Sequence, residues 1–253
     1  MKPDKIPLSV AIITKNEEIK LLDCLKSVSF ADDIVVVDSG SSDNTIKIAR
    51  EFGCRVFVED WKGHGPQKDS AVRKCMHDWV LIIDADERIP TETREVTQKV
   101  LERPEADAYS FKRKIYLHGK WLKHSGYWPD RQIRLINRTK GLLQSAIHVK
   151  WVSGGHLIDL NACIEHYGFS NYSDMLEALN EYSTVIAMEL FASGRRANLL
   201  TPFCHGVGMF LKIYLLENGF LDGMDGLVTA LLKAGGAFFK YAKLLELQRE
   251  NKR

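Results

Sequence analysis

Two carboxylates, Asp84 and Asp86, stand one residue apart at the end of an apolar run, in the stretch WVLIIDADERIP from Trp79 to Pro90. In a strand, residues i and i+2 project to the same face, and just past the strand end a turning backbone can still aim both carboxylates at one point. Two anions so placed repel unless a cation lies between them. A hard divalent ion, Mg²⁺ or Mn²⁺, takes one or two protein carboxylates and completes its shell with water and diphosphate oxygens. The pair therefore points to a metal–diphosphate site, where the ion offsets charge on a departing nucleoside diphosphate. An isolated Asp-x-Asp is common. The apolar strand before it and a second acidic strand end at Asp38 make this one specific.

The elements that must position the pair follow from periodicity. An apolar run LSVAII (8–13), a helical pattern through Leu21, Leu22, Leu25 and Val28, and the β-branched DIVVVD (33–38) give strand, helix, strand. SSDNTIKIAREFG (41–53) predicts a helix capped by Asp43 or Ser42 and stopped at Gly53; RVFVED (55–60) a third strand; PQKDSAVRKCM (66–76) a crossover helix; WVLIID (79–84) a fourth strand. This alternation predicts an α/β chain: a Rossmann-like, mainly parallel sheet with flanking helices, whose ligands gather at the carboxyl ends of the strands. Polar residues stand at those ends: Thr14, Asn16 and Glu17, then Asp38, then Asp60, then Asp84 and Asp86. Asp38 and Asp43 equally suit turns and caps.

After Pro90 the pattern loosens into a helix (91–102), a strand AYSFKRKIYL (108–117), a loop rich in Trp, Tyr and Gly (119–130), and RQIRLINR (131–138), a mixed or antiparallel part. From residue 171 it turns helical, with Met175, Leu179, Tyr182, Ile186 and Leu190 on one face. Two regions are expected: a nucleotide-binding catalytic part, 1–170, and a helical C-terminal extension, 171–253, membrane-interfacial or oligomeric.

The whole chain limits the partners. With 253 residues, 45% of them apolar, and a formal charge of +2, nothing favours nucleic acid. Cys24, Cys54, Cys75, Cys163 and Cys204 are odd in number and form no CxxC pair, so they read as reduced packing residues of a cytoplasmic protein. The N-terminus lacks the apolar region of a signal peptide, and no run approaches the ~18 uncharged apolar residues of a spanning helix. Basic residues concentrate in KRKIYLHGKWLKH (112–124) and KYAKLLELQRENKR (240–253), where a solvated face, a phosphate-facing surface and a membrane-facing surface are all open readings.

The stretches VAIITKNEE, IVVVDSGSSDNT, GHGPQKDSAV, WVLIIDADERI and GYWPDRQIRLINR follow in the order and approximate spacing of a family 2 glycosyltransferase, the inverting type with a GT-A fold, over roughly residues 8–170. The short length, the DADE form of the acidic motif and ENGFLDGMDGL (217–227) further resemble the lipopolysaccharide inner-core β-glucosyltransferases of Gram-negative bacteria. The resemblance implies that Thr14, Glu17 and Asp38 surround uridine, that Lys68 approaches the donor phosphates, that Asp84 faces the ribose or a metal-bound water, and that Asp86 ligates the metal. Glu87 would fix the following loop and Arg88 pair with it or with phosphate. A surface lysine on a helix is the bland alternative for Lys68.

Inversion by direct displacement needs a base on the face opposite the departing diphosphate. Relatives often place a His-Glu pair after the RLINR-type strand; here AIHVKW has His148 but Val149 in place of the glutamate. Asp130, in a matched motif beside aromatic residues able to stack on a sugar, is the first candidate and Glu165 in IEHY the second. His148 becomes a third metal ligand or a diphosphate contact, with a purely structural histidine as the alternative. Trp121, Tyr127 and Trp128 suit an acceptor platform, as they suit packing. Arg131 and Arg134 would face opposite sides of a regular strand, so both cannot serve one phosphate.

The segments 199–216 and 226–247 are apolar helices interrupted by Lys212, Lys233, Lys240 and Lys243, a pattern shared by membrane-interface helices, packed helices and dimer contacts. The function expected is metal-dependent transfer of a hexose, glucose from UDP-glucose in the first place, to a lipopolysaccharide core heptose, by a homo-oligomer or monomer at the cytoplasmic face of the inner membrane. One rival is a catalytically impaired nucleotide-sugar-binding scaffold, suggested by Val149. Another, an Asp-dependent phosphohydrolase, wants a small hydroxyl residue soon after the second aspartate, which Glu87-Arg88 does not supply.

Overall fold

A computed structural model of the chain describes residues 6–144, 150–152 and 155–251. The β-branched runs form β1 (Ile6–Thr14), β2 (Ala31–Asp38), β3 (Arg55–Val58) and β4 (Trp79–Asp84), joined by α1 (Leu21–Ser27), α2 (Thr45–Phe52) and α3 (His64–Lys74). After them come β5 (Glu87–Arg88), α4 (Thr91–Glu102), β6 (Ala108–Leu117), β7 (Lys120–Trp121), β8 (Asp130–Asn137), β9 (Leu142–Gln144), β10 (Lys150–Val152) and β11 (Leu157–His166). The sheet runs β3-β2-β1-β4-β8-β6-β11-β5, with β7 beside β6, and β9 pairs with β10 in a separate ribbon. The first four strands are parallel and β8 is antiparallel to β4, so the mixed, mainly parallel sheet expected from the alternation is present.

Alternation within each strand builds a core on both faces. Leu8, Val10, Ile12, Leu81 and Ile83 pack with Leu21, Leu25 and Phe30 on one side. Ala11, Ile13, Val35, Val37, Val80 and Ile82 meet Ala71 and Val72 of α3 on the other. Asp84 continues the Val80–Ile82 row, which directs its carboxylate to the α3 side. On α3 the buried residues Lys68, Ala71 and Val72 recur at helical spacing, so Lys68 lies in the stripe that faces the sheet.

The chain divides into two compact units: one runs to Arg113 and resumes over Asp130–His166, and the other comprises Lys114–Pro129 and the chain from Tyr167 onward. The Trp- and Tyr-bearing loop thus counts with the helices and not with the region 1–170. In this second unit α5 (Tyr172–Ala192), capped by Asn171, is followed by α6 (Thr201–Leu211), a π-helical turn (Lys212–Leu216), a 3₁₀ turn (Gly219–Asp222) and α7 (Met224–Glu250). Asp222 explains the motif 217–227. Buried, it accepts hydrogen bonds from the backbone N–H of Lys123 and His124 and from the Ser125 hydroxyl, at 3.3, 3.0 and 3.0 Å, holding the loop. A Cβ on Gly226 would lie 1.8 Å from the Gly219 carbonyl oxygen, so the turn closes only with glycine there.

Two of the three lysines of α7 have inward tasks: Lys233 donates to the Ser125 carbonyl and lies over the Tyr127 ring, and Lys243 donates to Asn180, Ser183 and Thr184 of α5. Helix packing, one of the readings open for 226–247, accounts for them. The five cysteines are free, but Cys204 is exposed and is not a packing residue.

Candidate active site

The loops that follow β1 and β2 are laced together by reciprocal caps. The N–H groups of Asn16, Glu17 and Glu18 donate to side-chain oxygens of Ser41, Thr45 and Asp43 at 2.8, 2.8 and 3.1 Å. In return the Asn16 and Glu18 side chains accept from the N–H groups of Ser42 and Asn44. The N-cap position of α2 is Asn44 and not Asp43 or Ser42; Asp43 accepts from the Thr45 N–H at 3.0 Å from one residue before the cap, and Ser42 turns to Asn16. Gly53 stops that helix in the left-handed region, at φ 93°.

Of the three residues expected around a nucleoside, Asp38 is fully buried and engaged by its own turn. It accepts from the N–H groups of Gly40 and Ser41 and from the Ser41 hydroxyl. Thr14 is also buried, yet its hydroxyl has no hydrogen-bond partner among the described residues. Burial, and next the charge of Asp86, push the Glu17 carboxyl up to about 7.

Past β4 the two aspartates part company. Asp84 receives Lys68 on one oxygen, at 2.6 Å, and Arg134 on the other, at 2.8 Å. Burial would raise its carboxyl, but those two cations hold it well below the usual range. Burial lowers the proton affinity of Lys68, with Asp84 opposing the shift. Arg134 also lies 2.5 Å from Glu87, whose other oxygen accepts the Asp84 N–H at 3.0 Å. Glu87 thus anchors the turn that precedes it, where the following loop was expected, and its partner is Arg134; Arg88 instead donates to the carbonyls of Ala85, Glu87 and Lys20.

Arg134 reaches this position through a bulge. Tyr109 pairs with Leu135 and Ser110 with Ile133, so Arg134 is the extra residue of β8 with no partner on β6. Arg131 goes elsewhere, to the Leu160 carbonyl and Asp159 at the surface, so the two arginines do not share a ligand.

Asp130 joins the same network across the β6–β8 pairing. Arg113, directly opposite it, contacts Asp130 at 2.6 Å and Glu87 at 3.6 Å, and Gln132 donates to the second Asp130 oxygen at 2.9 Å. Lys68, Arg113 and Arg134 therefore balance Asp84, Glu87 and Asp130. A buried charge cluster persists only when its charges match and its lone pairs are filled.

Asp86 takes a different partner. Its Oδ2 lies 3.2 Å from His166 Nε2 and its Oδ1 is buried with no hydrogen-bond partner among the described residues. Burial would raise the Asp86 carboxyl, and the imidazole beside it brings it below its usual value. His166 was not among the sequence candidates, although its neighbour Glu165 was. Ile158 and Leu160 line the core, partly buried, with buried Ala162 and Ile164 in alternation along β11, and the next residue of that row is His166. Period two would have placed His166 on the inward face and Glu165 on the other. His148 and Val149 lie outside the described residues.

Among the described residues no group of three or more His, Cys, Asp or Glu side chains is placed to hold a metal. Asp86 and His166 nevertheless fit a divalent ion that needs only two protein ligands beside water and diphosphate, because one Asp86 oxygen is buried and unsatisfied.

A family model described as glycosyl transferase family 2 matches residues 9–154. The chain is 30% identical over 254 residues to an uncharacterized glycosyltransferase of Rickettsia typhi, covering 95% of this chain and 87% of that one. It is 30% identical over 256 residues to the lipopolysaccharide core biosynthesis glycosyltransferase LpsC of Rhizobium meliloti, covering 96% and 93%. Among solved structures, the mannosyltransferase PcManGT of Pyrobaculum calidifontis, in complex with GDP-Man and Mn²⁺, superimposes with a TM-score of 0.52 at 16% identity, over 98% of this chain and 81% of that one.

Proposed function

Because the chain belongs to glycosyl transferase family 2 and has the GT-A fold, we propose that it is an inverting, metal-dependent enzyme moving glucose from UDP-glucose to a heptose of a lipopolysaccharide core. The observation that carries this reading is the Asp86–His166 pair, with its one buried carboxylate oxygen left unsatisfied at the end of β4. Asp86 and His166 would hold Mg²⁺ or Mn²⁺, which when bound supplies positive charge to the leaving diphosphate.

The other steps fall to the chain itself. The unpartnered Thr14 hydroxyl and the Glu17 carboxyl face the uridine; a second Lys68 N–H, beyond the one given to Asp84, reaches the donor phosphates. Asp38 acts by holding the Gly40–Ser41 turn. Asp130, held in orientation by Arg113 and Gln132, takes the proton of the acceptor hydroxyl as the glycosidic bond forms and the bond to diphosphate breaks. The relationship to LpsC supports a lipopolysaccharide core as acceptor, and an acceptor of that kind would place the reaction at the cytoplasmic face of the inner membrane.

Calorimetric titration of UDP-glucose, UDP-galactose and UDP-N-acetylglucosamine, each with and without Mn²⁺, tests the proposal. Metal-dependent binding of UDP-glucose, lost in Asp86→Ala, supports it; binding that ignores both the metal and the substitution removes the metal site. Binding without turnover on any core acceptor would favour the scaffold suggested by Val149.

A further inference from the structure

In the helical unit α6 has two unlike faces. Pro202 and Gly206 are buried, as is Ile213 in the following turn, and the missing side chain of Gly206 lets Phe238 of α7 approach, its Cβ lying 3.3 Å from where a glycine Cβ would stand. The opposite face is apolar and exposed. Val207 and Leu211 stand four residues apart at 60% and 47% exposure, with Phe203 at 60% on the edge of this face, its ring against Phe238 of α7 at 5.2 Å, and Leu199, Leu200 and Leu216 are exposed at 68%, 70% and 79%. A contiguous apolar surface of this kind marks a docking face.

The charges around it select the occupant. From Gly194 to Leu216 the chain has no Asp or Glu, and Arg195, Arg196 and Lys212 are exposed, Lys212 pairing at 3.3 Å with Glu217, which ends the stretch. Helix α5 supplies an internal contrast: it also exposes Leu176, Val185 and Met188, but among exposed Glu177, Glu181 and Glu189. A two-fold pairing of α6 with a second copy would set like-charged faces together. An anionic lipid surface accepts both the side chains and the charges. The helix and its π-helical turn, Thr201 to Leu216, span about 24 Å at 1.5 Å per residue, short of the roughly 30 Å hydrocarbon layer. Among the described residues no helix is long and apolar enough to cross a membrane.

We infer that the outward face of α6 lies in the interfacial layer of a membrane containing anionic lipid. The inference rests on this face and its charges, and shares with the proposed function only the lipid-linked nature of the acceptor. Co-sedimentation of the full chain with phosphatidylethanolamine vesicles containing phosphatidylglycerol, and with phosphatidylcholine vesicles, is the test. Binding to the anionic vesicles, weakened about tenfold or more in Leu200→Asp/Val207→Asp and unchanged in the α5 variant Leu176→Asp/Met188→Asp, supports it. Both variants alter exposed positions, and a thermal melt confirms that each is folded. No binding to the anionic vesicles, or equal binding by the α6 variant, overturns it. So does a wild-type dimer in sedimentation velocity that the α6 variant dissolves without any vesicle binding, which would assign the face to a second copy. UDP-glucose titration of the same α6 variant separates the two claims: donor binding should be unchanged whether or not the membrane contact exists.

Discussion

Arg134 is the cation on which the buried charge balance turns, and its removal has a calculable consequence. In Arg134→Met the side chain keeps an unbranched apolar stem and loses its guanidinium and its charge. Asp84 retains Lys68, but Glu87, fully buried, is left with Arg113 at 3.6 Å as its remaining cation in the network. Three positive and three negative groups become two and three. Breaking a buried pair by deleting one partner costs about 3–5 kcal/mol, because the surviving charge stays out of water. For a chain of this size each kcal/mol lowers Tm by about 2–4 °C, so a fall of about 6–20 °C is expected. Thermal unfolding followed by circular dichroism measures it, and the fall should persist at high salt, since buried pairs are weakly screened. The double variant Arg134→Met/Glu87→Gln removes one charge of each sign and should regain at least about 1 kcal/mol relative to the sum of the single changes. A single variant melting within about 2 °C of the parent, or a double variant equal to the sum of its parts, would refute the claim that neutrality holds this site together.

Three further outcomes can be measured. Asp130→Asn should lower kcat by about a hundredfold or more while leaving the UDP-glucose dissociation constant within about twofold; an unchanged rate would move the base to Glu165 or His148. Asp222→Ala strips the acceptor from three donors of the 123–125 loop, costing about 2–4 kcal/mol, and should speed hydrogen exchange at Lys123 and His124; unchanged exchange would mean that the loop is held by other contacts. Glu59→Gln tests pH dependence away from the site. Hydrogen bonds from Lys62, Lys74 and Ser70 lower the Glu59 carboxyl from 4.5 to about 2, so its contribution is present in full above pH 4.5 and is lost as pH falls through about 2. Partial exposure reduces that contribution to about 1 kcal/mol. Urea denaturation of parent and variant should differ by that amount at neutral pH and converge near the acid limit, and a constant difference would be a refutation.

Much of the first unit was legible because a parallel sheet buried on both faces writes itself as β-branched runs between helices. WVLIID gives β4 residue for residue, and Gly53 marks the end of α2 through its φ of 93°. The later strand β11 was missed because LIDLNACIEH interleaves its apolar row with Asp159, Asn161 and Glu165, a weak signal that becomes readable only with period-two counting. Arg134 could not be aimed from sequence: alternation assigns faces in a regular strand, and a bulge resets the count where it occurs. Lys68 was open between surface and site. Its place in the buried stripe of α3 was readable, but a buried lysine requires a carboxylate, and Asp84 approaches it only after the sheet is assembled.

The two aspartates are equivalent in the sequence and become unlike through their position relative to the strand end. Asp84 still belongs to β4, so strand parity sends it to the α3 side, where Lys68 and Arg134 occupy one oxygen each. Asp86 lies beyond the strand in the turn that Glu87 anchors through the Asp84 N–H, and the pairing of Glu87 with His166 across β5 and β11 brings the imidazole to it. One histidine, set against a single oxygen, does not fill a buried carboxylate as two cations on two oxygens do. The Asp86 oxygen that has no hydrogen-bond partner among the described residues therefore follows from where the strand ends, and a positive ligand would be favoured there. If Asp86 holds the metal as proposed, Asp84 would keep the site's shape and Asp86 would supply its chemistry. Asp84→Asn should lower stability before it alters metal dependence, and Asp86→Asn should do the reverse. Melting curves and Mn²⁺ titrations of the two variants, taken together, would show whether the roles divide in this way.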